Sequence, residues 1–230
     1  MTQGLIGLVG GTTWLSTIDY YRYLNEAVAR RHGGLHSARI LLHSVDFGAV
    51  AACEAAGDLD GERRILIEAA LSVQRGGAKI LAFCANTAHV HLPALRKAVS
   101  LPIISIVDAL THEIRQGKFE RVAVLSTART RNSGILEHPL ARGAGCEILL
   151  PDADQQRSLD CIIREGAAAG RFNATHAHIA NTVVDDLRGR GAQAMVLACT
   201  ELPQILAGSP VNLPLIDSTQ AHVQAILRAS

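Results

Sequence analysis

Residues 77–86, GAKILAFCAN, and residues 191–200, GAQAMVLACT, are two copies of one pattern. Aligned on Gly77 and Gly191, each copy runs from Gly-Ala through an apolar stretch into small polar residues. Each is followed by a Leu-Pro pair that opens another apolar segment leading to an aspartate. These are Leu101-Pro102 to Asp108 and Leu213-Pro214 to Asp217. A chain that repeats a strand, its exit and the next strand's entry is expected to fold as two similar halves. In open α/β sheets ligands bind beyond the carboxyl ends of the strands, so the polar tails of both copies are the first candidates for chemistry.

The rest of the chain alternates short apolar runs with longer amphipathic ones. Strands are expected at Leu5–Val9, Ala38–His43, Ile80–Phe83, Ile103–Val107, Val122–Leu125, Glu147–Leu150, Met195–Ala198 and Leu215–Ile216. Helices are expected over Thr17–Arg31, Gly61–Arg75, His91–Val99, Ala109–Gln116, Asp154–Ala168 and His176–Arg188. That alternation argues for βαβ units and mainly parallel sheet.

The register of the repeat separates two cysteines. Cys199 aligns with Ala85, whereas Cys84 aligns with Ala198. Strand side chains alternate between faces, so an offset of one residue turns a group the other way. Cys84 therefore reads as a core thiol behaving as a small hydrophobe. Cys199 sits at a strand end before Thr200-Glu201-Leu202-Pro203. If a helix starts there, its dipole favours thiolate over an ordinary thiol pKa of about 8.5, giving a base or nucleophile.

Asn86 and Thr87, after the first repeat strand, supply an amide and a hydroxyl that with backbone N–H groups could cradle a carboxylate; the alternative is a helix N-cap. Thr200 invites the same two readings. The turn Gly10-Gly11-Thr12-Thr13-Trp14 matches neither a P-loop nor a dinucleotide fingerprint, leaving a small-anion turn or a tight bend. His43 and Asp46 read as a hydrogen-bonded structural pair, and His89 as a candidate proton donor. His176 and His178 have no metal-ligand spacing, and no metal site is expected.

Composition narrows the partners. A net charge of +1 without a dense basic run, and an aromatic fraction of 3%, argue against nucleic acid and anionic membranes. No apolar stretch approaches the ~18 residues needed to span a bilayer, and the N-terminal stretch does not read as a signal peptide. Five irregularly spaced cysteines fit neither a disulfide framework nor a four-thiolate zinc site, so a cytoplasmic location with reduced thiols is expected.

The whole chain resembles the aspartate/glutamate racemase family. GLVGGTTWLSTIDYYRYLN (7–25) and GGLHSARILLHSVDF (33–47) look like its aspartate racemase branch, and NTAH (86–89) and CTELP (199–203) match its two active-site motifs. The resemblance implies two similar αβα domains with mainly parallel sheets, related by a pseudo-twofold, with the active site in the interdomain cleft. The expected boundaries are 1–100 plus 208–230 for the first domain and 101–207 for the second. It also implies a homodimer, an amino acid or related small carboxylate as substrate, and neither PLP nor any other cofactor.

By the same resemblance Cys199 is the acid/base, Asn86, Thr87 and Thr200 hold the α-carboxylate, and the turn at Thr12 closes the site. In the family two thiols flank the substrate α-carbon, and the first immediately precedes Asn-Thr. Here Ala85 holds that position. This departure leaves three expectations: racemisation assisted by water, His89 or Cys84; single-thiol chemistry like that of the related arylmalonate decarboxylases; or a binding protein that has lost one base. The branch also carries a Lys in the helix of its second half that holds an acidic substrate side chain. The corresponding stretch here, Asp154 to Gly170, offers Arg157 and Arg164 but no Lys.

Overall fold

The computed structural model describes residues 4–169 and 171–230. By its internal contacts the chain divides into two compact units, Met1–Ile106 with His222–Ser230, and Val107–Ala221.

The first unit is built on strands β1 (Ile6–Gly10), β2 (Ile40–Ser44) and β3 (Ile80–Phe83), in the order β2-β1-β3 and all parallel. Ile103 adds a single parallel bridge to Leu81 on the outer side of β3. The expected strand Ile103–Val107 is otherwise absent, because α5 (Ile106–Gln116) begins three residues later and converts the segment to helix. Alternate side chains of the sheet feed two cores. Val9, Leu81 and Phe83 pack with Leu66, Ala69, Ala70 and Val73 of α3 (Leu59–Arg75). Ile6, Leu8, Ile80 and Ala82 pack with Tyr20 and Leu24 of α1 (Trp14–His32) and with Val223 and Ile226 of the last helix (Ser218–Ala229). Gly7 is required by close approach: a Cβ there would run into Val73 of α3 and the backbone of Ile80.

The second unit repeats the plan with β4 (Arg121–Ser126), β5 (Glu147–Leu149), β6 (Ala194–Ala198) and β7 (Leu215–Asp217), in the order β5-β4-β6-β7 and all parallel. One face packs on α8 (Ala153–Ala169) and α9 (Ala174–Gly189) through Leu159, Ile162, Val183 and Leu187. The other packs on α5 and α7 (Glu137–Ala144) through Leu110, Ile114 and Leu140. Because β7 pairs with β6, the second sheet keeps residues 215–217, and the chain rejoins the first unit at His222.

The repeat is visible in the hydrogen bonds. Gly77 and Gly191 both take positive φ, +87° and +93°. The amides of Ala78 and Ala192 reach back to Val73 and Leu187, and those of Leu81 and Met195 both donate across to a proline carbonyl, Pro102 and Pro214, at 2.9 Å. The helices α2 (Phe47–Ala56), α6 (Ala128–Asn132), α7 and the C-terminal α11 (Ser218–Ala229) fall outside the expected spans, α4 (Leu92–Ala98, within the expected His91–Val99) begins a residue late, and a helix does start after Cys199, the short α10 (Leu202–Ile205).

Candidate active site

In the second unit, β6 delivers Cys199 at its carboxyl end. Ala198 packs into the α5 and α7 core, while Cys199 turns to the other face and lies half-buried against the α8 and α9 core. Cys84 and Ala85 divide in the same way: Cys84, 2% exposed, sits in the core with Ile6, Leu8 and Tyr20, and Ala85 packs against the α3 core. Burial alone pushes the Cys84 thiol far up, consistent with an inert core group. Ala85, not Cys84, therefore occupies in its own unit the position that Cys199 holds in the other.

The expectation of a dipole-lowered thiol is overturned. α10 covers four residues, begins with Leu202-Pro203, and has no side-chain cap bond, so its dipole is small. Burial pushes the Cys199 thiol well above its ordinary range, and the negative charge and hydrogen bond of Glu201 push it further, with a lesser contribution from Asp160. The thiol donates to Glu201 Oε2 at 2.8 Å, and Thr200 Oγ1 donates to the same oxygen at 2.9 Å. To hold a ligand carboxylate, Thr200 would have to release Glu201, since a hydroxyl has one proton to give.

The surrounding strand ends are tied to α8. Gln156 Nε2 donates to the Ser126 carbonyl at 2.9 Å, and Asp160 Oδ1 accepts from the Ala128 amide at 2.8 Å. Of the two arginines in the stretch that lacks a Lys, Arg157 pairs with Asp154 on the exposed face of α8, and Arg164 is exposed as well. Gly170, the end of that stretch, lies outside the described residues.

In the first unit, β3 leads into half-buried Asn86 and Thr87, and a 3-10 turn spans Thr87–His91. Asn86 starts this turn through its carbonyl, which accepts from the His89 amide at 3.1 Å; its side chain makes no cap bond. His89 is not placed as a proton donor. It is 4% exposed, its Nε2 accepts from the Ile106 amide at 3.2 Å, and its Nδ1 therefore donates to the Ala85 carbonyl at 3.0 Å. Both ring nitrogens hold backbone, so His89 fixes the exit of β3.

The turn bearing Thr12 is a tight bend. Gly11 has φ +94°, its amide donates to Thr17 Oγ1 at 2.9 Å, and a Cβ there would strike the backbone of Val45. Thr12 follows it half-buried. Asp46 spends its carboxylate on the α2 N-cap, accepting from Gly48, where a pair with His43 was expected. Among the described residues no cluster of three or more His, Cys, Asp or Glu side chains could hold a metal ion, and no helix is long and apolar enough to cross a membrane.

Glu201 and Asp160 stand at the thiol without having been expected there. Glu201 lies in the quoted CTELP motif, and its place two residues after a strand-end thiol was the available signal. Asp160 had none, being one polar position on an amphipathic helix.

A parallel α/β sheet carried twice, with a protonated thiol closing the repeated strand of one copy, defines the class. The family profile described as Asp/Glu/Hydantoin racemase matches residues 9–226, and the chain belongs to that family of isomerases. It is 28% identical over 162 residues to the broad specificity amino-acid racemase RacX of Bacillus subtilis, covering 70% of this chain and 69% of RacX. Among solved structures, a candidate Asp/Glu racemase from Yersinia pestis superposes with a TM-score of 0.92 at 32% identity, covering 99% of both chains. An aspartate racemase homologue from Pyrococcus horikoshii gives 0.88 at 28% identity, covering 100% of this chain and 99% of that one.

Proposed function

We propose that the protein is a PLP-independent amino-acid racemase of the aspartate/glutamate type in which Cys199 removes and returns the Cα proton. The observation that carries this reading is the strand-end thiol of Cys199 in contact with a carboxylate, within a chain of racemase family. The α-proton of an amino acid is very weakly acidic. Removing it requires a positioned acid/base together with hydrogen bonds that stabilise the carbanion. Asn86 and Thr87 are the donors this reading assigns to the α-carboxylate, joined by Thr200 when it leaves Glu201, with the Thr12 turn closing the site. A homodimer is the assembly it expects.

A second reading, single-thiol decarboxylase or isomerase chemistry on a small carboxylate, is favoured by one feature. Ala85 stands where the repeat and the family place a second thiol, and Cys84 is buried in the core. The test common to both is Cα–H exchange in D2O over a panel of L- and D-amino acids, followed by proton NMR. Cys199→Ala should lower exchange by at least ~100-fold, the lower range for a lost general acid/base. Unchanged exchange would remove Cys199 from the mechanism.

A further inference from the structure

The resting Cys199 is a proton donor. Its sulfur lies 2.8 Å from Glu201 Oε2, and that oxygen is held from a second side by the Thr200 hydroxyl at 2.9 Å. An S–H group cannot take up a second proton while it keeps the first. If it is to act as a base, its own proton needs a destination, and the carboxylate in contact with it is Glu201. Asp160 adds negative charge near the sulfur while its Oδ1 is engaged by the Ala128 amide.

From this contact we propose that Glu201 is the proton relay of Cys199, a positioning residue that acts through the sulfur. The inference rests on the reading that Cys199 exchanges the α-proton of an amino acid. In the forward step the Cα–H bond breaks and its proton bonds to Sγ, while the former S–H proton passes to Glu201 Oε2. The electron pair of the broken bond stays on Cα, delocalised into the substrate carboxylate. In the return step Sγ–H delivers its proton to Cα and Glu201 gives its proton back to sulfur. No thiolate accumulates in either direction, which reconciles a thiol held strongly protonated at rest with a base function. In the resting site the Thr200 hydroxyl sets which carboxylate oxygen faces the sulfur, before it turns to the substrate.

The test compares wild type, Glu201→Gln and Glu201→Asp for Cα exchange in D2O and for iodoacetamide alkylation read at the Cys199 peptide by mass spectrometry. Removing the carboxylate charge makes the thiol more acidic, so Glu201→Gln should alkylate at least about threefold faster at pH 8. Exchange at pH 7 should nonetheless fall at least ~100-fold and recover as pH rises and the thiol ionises. Glu201→Asp, which keeps a carboxylate, should hold exchange within about tenfold and serves if the Gln variant folds poorly. A purely structural Glu201 would lower both rates together, and that result overturns the proposal. Exchange in Glu201→Gln within about threefold of wild type overturns it too, leaving the racemase reading intact. Absence of exchange by wild type with every amino acid defeats the racemase reading itself, and the relay with it.

Discussion

Lowering the pH from 7.5 to 5 should destabilise the first unit through one residue, His222. Its side chain is fully buried, Nδ1 accepts from Tyr20 Oη at 2.7 Å, and Nε2 donates to the Ile104 carbonyl at 2.9 Å. The His89 ring stands 5.4 Å away, centroid to centroid. Burial, with the His89 ring adding to it and the Ile104 bond opposing it, lowers the His222 pKa from 6.5 to about 3. Between those values the unfolded chain binds a proton that the folded one refuses, so stability rises with pH through that window and is lost as pH falls below 6.5. At 1.36 kcal/mol per pH unit, the fall to pH 5 costs about 2 kcal/mol, with the remainder lost towards pH 3. Glutamine can both donate to Ile104 and accept from Tyr20 but does not titrate. Urea unfolding of wild type and His222→Gln, followed by circular dichroism at the two pH values, isolates the effect from the other histidines. Wild type should lose about 2 kcal/mol more than the variant. Equal losses, within about 0.5 kcal/mol, would refute a neutral buried His222.

The other predictions concern the two strand ends and the first turn. Cys84→Ala should leave any exchange activity unchanged and cost about 1 kcal/mol in a denaturant melt, because a buried sulfur is deleted from a packed core. Gly11→Ala, with φ +94° and Val45 backbone in the way, should cost at least about 2 kcal/mol; a melting temperature equal to wild type would contradict the bend described here. Ala85→Cys should raise racemisation of both enantiomers at least about tenfold by chiral chromatography, since it supplies a second acid/base. No gain would undo the equivalence of Ala85 and Cys199.

The repeat made the fold readable. Gly-Ala before each strand and Leu-Pro before its neighbour are backbone requirements, and both reappear in matching hydrogen bonds. The same periodicity assigned Cys84 to the core, because a strand face is set by register alone. What failed was local. Ile103–Val107 reads as strand, yet the helix beginning at Ile106 leaves one bridge. The helix Phe47–Ala56 is rich in alanine with only one buried residue, so its sequence carries little period to detect. Around Cys199 the dipole argument depended on a helix length that sequence does not show. A four-residue helix and a carboxylate at 2.8 Å reverse its sign. His89 is close in sequence to Asn86, but its partners, the Ala85 carbonyl and the Ile106 amide, lie at the exit of β3 and the start of α5, a long-range pairing that sequence does not show.

In the proposed mechanism one thiol, Cys199, does acid/base chemistry while Ala85 leaves the equivalent position without one. Incubating each enantiomer of the best amino acid in D2O, with Cα deuteration by NMR and optical purity by chiral chromatography read on the same samples, tests it directly. Deuterium should enter one enantiomer far faster than it is inverted, and Cys199→Ala should abolish that label. Inversion keeping pace with exchange from both enantiomers, or labelling that survives Cys199→Ala, would contradict it.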